Sequence, residues 1–311
     1  ESILMKKILF YMLLAVTLLL PAGCSDEHTK DIPEPGKDYI TFSLPVGIAQ
    51  KKTYADPVAS VEENAVEKLH IYMFDDASGI LEKVFRIDNT NIGGSGTSRT
   101  ATVDVTGSSG KKLFYFVANG DGKISGLDKA NVGETTRNEF VETLSDRDRS
   151  FVKPKLLFSG YTEVADITSP QATELIIGMR RRVARFDVVN DKAITHLIID
   201  KILISQTSQL AYIFSDATGT PQQEVKLYDL PELLFSDIEN SNEGETPSVF
   251  YLYPTTLGDG KTQISFEASF RGSTQVYNLH LDDDVEIKPN ARYIIKPKLV
   301  GINNIQFEIS I

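Results

Sequence analysis

Apolar and polar residues alternate with a period of two through most of the chain from Tyr39 onward. This alternation is typical of strands with one buried face, and the Gly, Asn, Asp and Pro residues between the runs supply turns. Many short strands separated by turn signals predict an all-β fold built from β-sandwiches. The runs lie at 39–46, 68–75, 81–87, 99–105, 111–118, 155–161, 173–178, 182–190, 195–205, 210–214, 248–253, 262–270, 275–281, 291–300 and 304–311.

Two of these runs predict different positions within a sheet. In 99–105, Ala101, Val103 and Val105 form an inward-facing set, and polar residues lie between them. In contrast, 111–118 is apolar at successive positions, which is typical of a strand buried on both faces. We therefore expect the second run to be a central strand.

One helix is predicted among the strands, near 134–145. Phe140, Val141 and Leu144 fall on one side of it, and residues 134–135 supply an early acidic side chain and a candidate cap. The helix should therefore be short and should pack one apolar side against the strands.

A change in composition near Gly178-Met179 divides the pattern into two sets of strands. One set is complete before this point, and three consecutive arginines at 180–182 open the second. The chain after its leader is long enough for two ordinary domains. We expect two β-sandwich domains in series, at 39–178 and 179–311, with the short helix in the first.

The first residues have the layout of a secretory signal peptide: a basic pair, an apolar stretch over 8–20, and small residues directly before Cys24. The stretch has about 13 apolar residues, fewer than the roughly 20 needed to cross a bilayer. Residues 20–23 followed by the cysteine resemble a bacterial lipobox. We expect a signal peptide at 1–23, acylation of Cys24 and a polar tether over 24–38; the alternative is an ordinary signal peptide with an incidental cysteine.

Composition narrows the class of partner. The chain has a net charge of −11, whereas binding to nucleic acid requires clustered cations that displace counterions, so we expect no nucleic acid partner. Cys24 is the only cysteine. Once it is lipidated no disulfide can form, and stability outside the cytoplasm must come from the buried core.

Several short motifs resemble binding sites but lack the residues that the chemistry needs. Residues 107–111 and 260–262 resemble parts of a phosphate-binding loop without its first glycine, so we interpret both as hairpin turns. Residues 119–125 resemble the middle of an EF-hand loop, but its first ligand would be Val117, so a tight Asn-Gly turn is the better interpretation.

Nothing in the sequence singles out a catalytic centre. The four histidines have no metal-ligand spacing, and no pair of carboxylates stands out for glycoside cleavage. We therefore expect no metal, no cofactor and no catalytic residue, and an enzyme is the least expected class.

The last run of the chain alternates to its final residue. One face is apolar and consists of Ile305, Phe307, Ile309 and Ile311. A terminal strand can pair within its own sheet or extend a sheet of a neighbour, where its alternate side chains fill pockets. Both readings stay open on this pattern alone.

The first run has the same pattern, and its apolar face consists of Ile40, Phe42, Leu44 and Val46. A dibasic pair, Lys51 and Lys52, follows in a polar stretch without strand character. A trypsin-like protease could cut there and release lipid, tether and first strand together. The strand position left behind would be lined by apolar groups and unpaired amides, which are costly to leave open.

Five segments in order resemble motifs of the type V pilins, the fimbrillins or major fimbrial subunits of Gram-negative gut and oral bacteria. The segments are 62–75, 111–119, 181–186, 250–254 and 290–295. The resemblance implies two transthyretin-like β-sandwich domains and export as an outer-membrane lipoprotein. It also implies removal of the first strand by a protease, after which the C-terminal strand of one subunit fills the vacant position in the next.

The resulting hypothesis is a structural subunit of a cell-surface fimbria that contributes to adhesion. Its partners would be other copies of itself, related fimbrial subunits, a trypsin-like processing protease and, through the lipid, the outer membrane. The alternatives are a lipid-retained anchor or tip subunit of the same fimbria, or a surface glycan-binding lipoprotein. The absence of tryptophan from the sequence counts weakly against the last.

Overall fold

Short strands dominate the computed structural model of the chain and confirm the predicted all-β fold. Cys24, the predicted lipidation residue, and the dibasic pair Lys51 and Lys52 lie outside the described residues. Asp38–Ile311 forms one compact unit. The structure describes residues 37–46, 60–121, 124, 127, 130–142, 144–146, 155–168, 173–208, 210–214, 227–301 and 304–311.

The described residues of the first half of the chain form eleven strands and one helix, α1 at Arg137–Val141. The strands are β1 Tyr39–Pro45, β2 Lys68–Asp75, β3 Leu81–Asp88, β4 Gly93–Ser95, β5 Ser98–Asp104, β6 Lys111–Ala118, β7 Leu144–Asp146, β8 Phe158–Tyr161, β9 Ala165–Asp166, β10 Thr173–Ile176 and β11 Arg180–Arg181. Single 3-10 turns lie at Glu62–Asn64 and Asn89–Asn91.

In the second half, the residues that the structure describes form thirteen strands, a short helix α2 at Lys192–Thr195 and a 3-10 turn at Phe235–Asp237. The strands are β12 Ala184–Asp191, β13 Leu197–Ser205, β14 Thr207–Ser208, β15 Leu210–Tyr212, β16 Leu227–Tyr228, β17 Leu233–Leu234, β18 Glu243–Leu252, β19 Thr255–Leu257, β20 Gln263–Phe270, β21 Ser273–Asn278, β22 Val285–Ile287, β23 Arg292–Gly301 and β24 Asn304–Ser310.

Each run predicted from the alternation contains one of these strands. The strands that the pattern did not predict have only two or three residues each, which is too short to show a period.

Two sheets form a sandwich in each half. In the first half their strand orders are β10-β1-β5-β4 and β11-β8-β6-β2-β3, with β9 paired to β6. In the second half the orders are β18-β12-β23-β24 and β17-β13-β20-β21. The first core draws on residues between Ile40 and Met179 together with Tyr251, and the second on residues between Ala184 and Phe307.

The central position predicted for the run 111–118 is confirmed, because β6 lies between β2 and β8. Phe114 and Phe116 face the sandwich core, whereas Leu113, Tyr115 and Val117 face a second apolar cluster that covers the outside of this sheet. The inward set predicted for the run 99–105 is also buried.

The helix is shorter than predicted and has a different cap. Thr136 caps α1: its side chain accepts a hydrogen bond from the backbone of Glu139, and the Glu139 carboxylate accepts one from the backbone of Thr136. This reciprocal capping box places the cap one residue beyond the segment 134–135, and the helix begins at Arg137. The helix ends at Val141, and Leu144 belongs to the strand β7 instead.

The hairpin interpretation of the two glycine-containing turns is wrong. The turn around 107–110 joins β5 to β6, which belong to different sheets, and the turn around 258–262 joins β19 to β20, although β19 pairs with β22. A glycine allows the backbone to adopt a positive φ, but it does not show whether the strands on either side of the turn pair with each other. The Asn-Gly turn stays a prediction: Asn119 has a φ of 57°, and its side-chain amide donates to the carbonyl oxygens of Ala65 and Leu156.

Candidate strand-exchange site

β1 lies inside its sheet, with β5 on one side and β10 on the other. It runs antiparallel to β5 and parallel to β10. The pairing extends past its end, where the Val46 amide donates to the Thr97 carbonyl oxygen and the Met179 amide donates to the Pro45 carbonyl oxygen, both at 2.8 Å. In the described part of the chain β1 is the only strand that pairs with β10. We call the space that β1 fills between β5 and β10 the slot.

All four apolar residues predicted for one face of β1 are buried in the first core: Ile40, Phe42, Leu44 and Val46. Phe42 is fully buried, and two rings of β6 meet it edge to face. The centroid of the Phe42 ring lies 5.1 Å from that of Phe114 and 4.9 Å from that of Phe116. Fully burying an apolar side chain of this size contributes about 1.5–3 kcal/mol, so β1 is an integral part of the core.

The outer face of β1 carries small hydroxyl side chains. The hydroxyl oxygens of Thr41 and Thr102 lie 3.0 Å apart, and the Ser43 hydroxyl donates a hydrogen bond to the carboxylate of Glu174 on β10. These contacts lie at the surface and connect β1 to both neighbouring strands.

The C-terminal strand β24 lies at the edge of the second sandwich and pairs antiparallel with β23. Ile305 and Phe307 belong to the core of that sandwich, and the Phe307 ring stacks on Phe266 with centroids 4.0 Å apart. Ile309 is half-buried and Ile311 is exposed. The four residues predicted for the donor face therefore pass from core to surface along the strand.

A buried ion-pair network joins the two sandwiches. Glu63, in the turn before β2, accepts hydrogen bonds from Arg185 Nη1 on β12 at 3.0 Å and from the Tyr251 hydroxyl on β18 at 2.7 Å. Arg185 Nε also donates to Asp187 Oδ1 at 2.6 Å, and Arg292 Nε donates to Asp187 Oδ2 at 2.5 Å. Charges this deeply buried are tolerated because each is paired and hydrogen-bonded.

Burial and the neighbouring charges act together on the pKa values of this network. Burial raises the pKa of Tyr251 well above its usual value, so the phenol stays protonated and donates to Glu63. Burial alone would lower the pKa of Arg185, but the hydrogen bond to Asp187 and the charges of Asp187 and Glu63 outweigh it and raise that pKa. Burial lowers the pKa of Arg181, whose guanidinium nevertheless donates to Asn290 Oδ1 at 3.2 Å.

Four of the five segments that carry the fimbrillin resemblance contribute to this junction, which the sequence reasoning did not foresee. The sequence carried a signal for this junction, because Arg185 and Asp187 place a positive and a negative charge inside the otherwise apolar run 184–189. Strand partners far apart in the chain were needed to bring the charges together. The contributing residues are Glu63 and Asn64, Arg181 and Arg185, Tyr251, and Asn290 and Arg292.

Three features that would point to other functions are a metal site, a membrane-spanning helix and an exposed aromatic cluster. They contain no group of three or more His, Cys, Asp or Glu side chains that could hold a metal ion. No helix among them has the length and apolar character needed to cross a bilayer. Tyr161 is the one aromatic among their exposed large apolar side chains, so the aromatic cluster that would favour glycan binding does not occur there.

Comparison with solved structures places the fold among fimbrial and adhesion proteins. A crystal structure from Parabacteroides distasonis, described as a candidate cell adhesion protein, has a TM-score of 0.61 and 16% identity, covering 88% of this chain and 97% of the other. The tip fimbrial protein Mfa3 from Porphyromonas gingivalis has a TM-score of 0.60 and 17% identity, with 88% and 98% covered. A fimbrial assembly protein from Parabacteroides distasonis has a TM-score of 0.58 and 13% identity, with 88% and 95% covered.

At these identities the likeness shows a shared fold and no more. A search of curated proteins gives no match. The sequence over residues 39–311 matches the family described as the fimbrillin-A associated anchor proteins Mfa1 and Mfa2. This match covers most of the chain, which therefore belongs to that family of fimbria-associated cell-surface proteins.

Proposed function

We propose that this chain is a subunit of a cell-surface fimbria whose first strand is a removable plug for its own assembly slot. One observation carries the proposal: β1 fills a central position between β5 and β10 with its apolar face buried in the core. The dibasic pair Lys51 and Lys52 follows it within a few residues along the chain. A cut there would separate β1 covalently from the sandwich that it completes.

In this proposal the precursor reaches the outer membrane as a lipoprotein. The signal peptide 1–23 is removed, Cys24 is acylated, and residues 24–38 form a polar tether to the sandwich domains 39–178 and 179–311. A trypsin-like protease then cuts at Lys51 or Lys52. Displacement of β1 leaves the slot open to a strand from another subunit, either a second copy of this chain or a related one, and such a head-to-tail contact generates a filament.

The strand that this chain would donate is β24, through Ile305, Phe307, Ile309 and Ile311. Its alternation matches what an open sheet position requires, since backbone groups complete the ladder and alternate side chains enter the core. Leaving its own sandwich would uncover Phe266, on which Phe307 stacks, so donation requires a rearrangement of the second sandwich.

A lipid-retained anchor or a tip subunit of the same fimbria is the second candidate. Two observations favour it. The family description names anchor proteins. In addition, Ile305 and Phe307 are core residues of their own sandwich, and their burial stabilises β24 in its own sheet. An anchor would keep both the acyl group on Cys24 and β1 in its slot.

The mature N-terminus distinguishes these roles. We expect mass spectrometry of protein taken from the cell surface to find either an acylated Cys24 or a terminus directly after Lys51 or Lys52. Thr53 as first residue supports a polymerised subunit, and acylated Cys24 supports an anchor. Protein that starts at Thr53, with residues 24–52 cleanly removed, and that nevertheless stays monomeric contradicts assembly through the slot.

Cutting the chain should not by itself release β1. Its four apolar side chains pack in the first core and its two ladders of hydrogen bonds are made with β5 and β10, so these contacts do not depend on the covalent connection between residues 47 and 59. We expect the nicked protein to elute as one species in native gel filtration and to separate into two pieces in denaturant. Loss of the β1 piece under native conditions would contradict this expectation, and uncut protein is the matched control.

A further inference from the structure

The first and last strands of this chain have corresponding inward residues when both are read from N to C terminus. Ile40, Phe42, Leu44 and Val46 of β1 correspond to Ile305, Phe307, Ile309 and Ile311 of β24. The aromatic residue is second in each set. Read in the opposite direction, the aromatic residue of β24 would fall on the place of Leu44 instead.

The slot is shaped for an aromatic ring at that second place, since Phe114 and Phe116 both meet the Phe42 ring edge to face. A strand like β24 would therefore enter in the direction of β1, antiparallel to β5 and parallel to β10, with its phenylalanine between these two rings. This alignment fixes which outward residues of the incoming strand meet which neighbours.

The outward face of β24 does not fit as well as its inward face. In this alignment Gln306 takes the place of Thr41, and Glu308 takes the place of Ser43. The Ser43 hydroxyl donates a hydrogen bond to the Glu174 carboxylate. An ionised carboxylate has no proton to donate, so Glu308 would replace that hydrogen bond with a like-charge contact across neighbouring strands.

In its own sandwich Glu308 has a favourable partner. Lys298 Nζ on β23 donates to Glu308 Oε1 at 2.6 Å, and this hydrogen bond raises the pKa of Lys298. Moving β24 from its own sandwich into the slot of a second copy would therefore exchange an attraction for a repulsion. Both sites are exposed, so each effect is modest and depends on salt.

We propose that Glu174 selects the strand that enters the slot. The core side of the slot favours a donor with the inward pattern of β1, and Glu174 favours a donor with a hydroxyl or a cation at the place of Ser43. Glu174 therefore disfavours the β24 strand of a second copy. The expected occupant is the C-terminal strand of a related subunit that carries no acidic residue at that place. This inference rests on the proposed strand exchange and narrows its partner.

The test uses the full chain with a recognition sequence for a site-specific protease placed within residues 47–59. After cutting, the protein is incubated with excess peptide, and release of the β1 piece is measured by gel filtration and mass spectrometry. One peptide has the sequence of residues 304–311, and the second carries Glu308→Ser. We expect the second to displace β1 about two- to fivefold more effectively at low ionic strength, and we expect the difference to shrink in 1 M salt.

The Glu174→Gln variant of the full chain is the matched control, and the two peptides should displace β1 equally from it. Equal displacement from the unsubstituted protein, or a preference that survives Glu174→Gln, would overturn the role of Glu174. A peptide with Phe307→Ile and Ile309→Phe tests the alignment: it should displace β1 less well, and an undiminished effect would overturn the alignment.

Failure of strand exchange itself gives a different result. A peptide with the sequence of residues 38–46 matches the slot by construction and should exchange with the cut β1 segment. If that peptide does not exchange, the proposed function is wrong, and the selection by Glu174 is wrong with it. If it exchanges while the two β24 peptides behave alike, only the selection is wrong.

Discussion

Replacing Phe42 by alanine is expected to lower the free energy of unfolding by about 3–5 kcal/mol. The ring is fully buried and has two aromatic neighbours on β6, Phe114 and Phe116. Truncation removes its transfer free energy and leaves a cavity between the two sheets, which the surrounding strands can close only in part. Chemical denaturation of the full chain, followed by fluorescence or circular dichroism, measures the loss.

The matched control is Thr41→Ala on the outer face of the same strand, where a loss below about 1 kcal/mol is expected. Phe42→Leu gives an intermediate point, because leucine fills part of the space, and it keeps the test usable if the alanine variant does not fold. Equal losses for Phe42→Ala and Thr41→Ala would show that β1 does not belong to the core, and the plug proposal would lose its main support.

Replacing Asp187 by alanine is expected to lower the free energy of unfolding by about 3–5 kcal/mol. Its carboxylate is fully buried and pairs with the guanidinium groups of Arg185 and Arg292, and it also accepts a hydrogen bond from the Ser248 amide at 2.7 Å. Removing it leaves buried positive charge without its nearest counter-charge. The loss is measured by chemical denaturation at low and at high salt, and it should change little because buried pairs are poorly screened.

Glu245→Ala provides the control for this second prediction. The Glu245 side chain is half exposed and pairs with the same Arg292 guanidinium. Exposed ion pairs contribute about 0–1 kcal/mol, so this variant should lose little and should become less distinguishable from the parent as salt rises. A loss for Asp187→Ala no larger than that for Glu245→Ala would contradict the interpretation of the junction as a tightly coupled network.

The alternation of residues was sufficient to predict which faces of the strands are buried. The inner faces of β1 and β5 followed from it, as did the central position of β6. Alternation says nothing about which strands pair. β1 pairs in parallel with β10 although Ser43 and Glu174 are 131 positions apart, and no local pattern contains that partner.

The errors have similar physical causes. The glycines at 107 and 110 report a backbone with positive φ, but the strands that they join belong to different sheets. The helix near 134–145 ends at Val141, and Leu144 pairs instead as a strand residue with Tyr212, a partner in the second half of the chain that no local pattern contains. The junction network escaped prediction because Glu63 meets Arg185 and Tyr251 only after both sandwiches have formed.

The buried junction also bears on how a fibre of such subunits would carry mechanical tension. If subunits join by the proposed strand exchange, a pull between neighbours would enter each one through the strand in its slot, in the first sandwich, and would leave it through the second sandwich. The contacts of Glu63 with Arg185 and Tyr251 cross that route, and Arg185 is tied in turn to Asp187. We therefore expect the two sandwiches of a subunit to stay together under tension and to behave as one rigid link. The fibre would then bend between subunits and not within them.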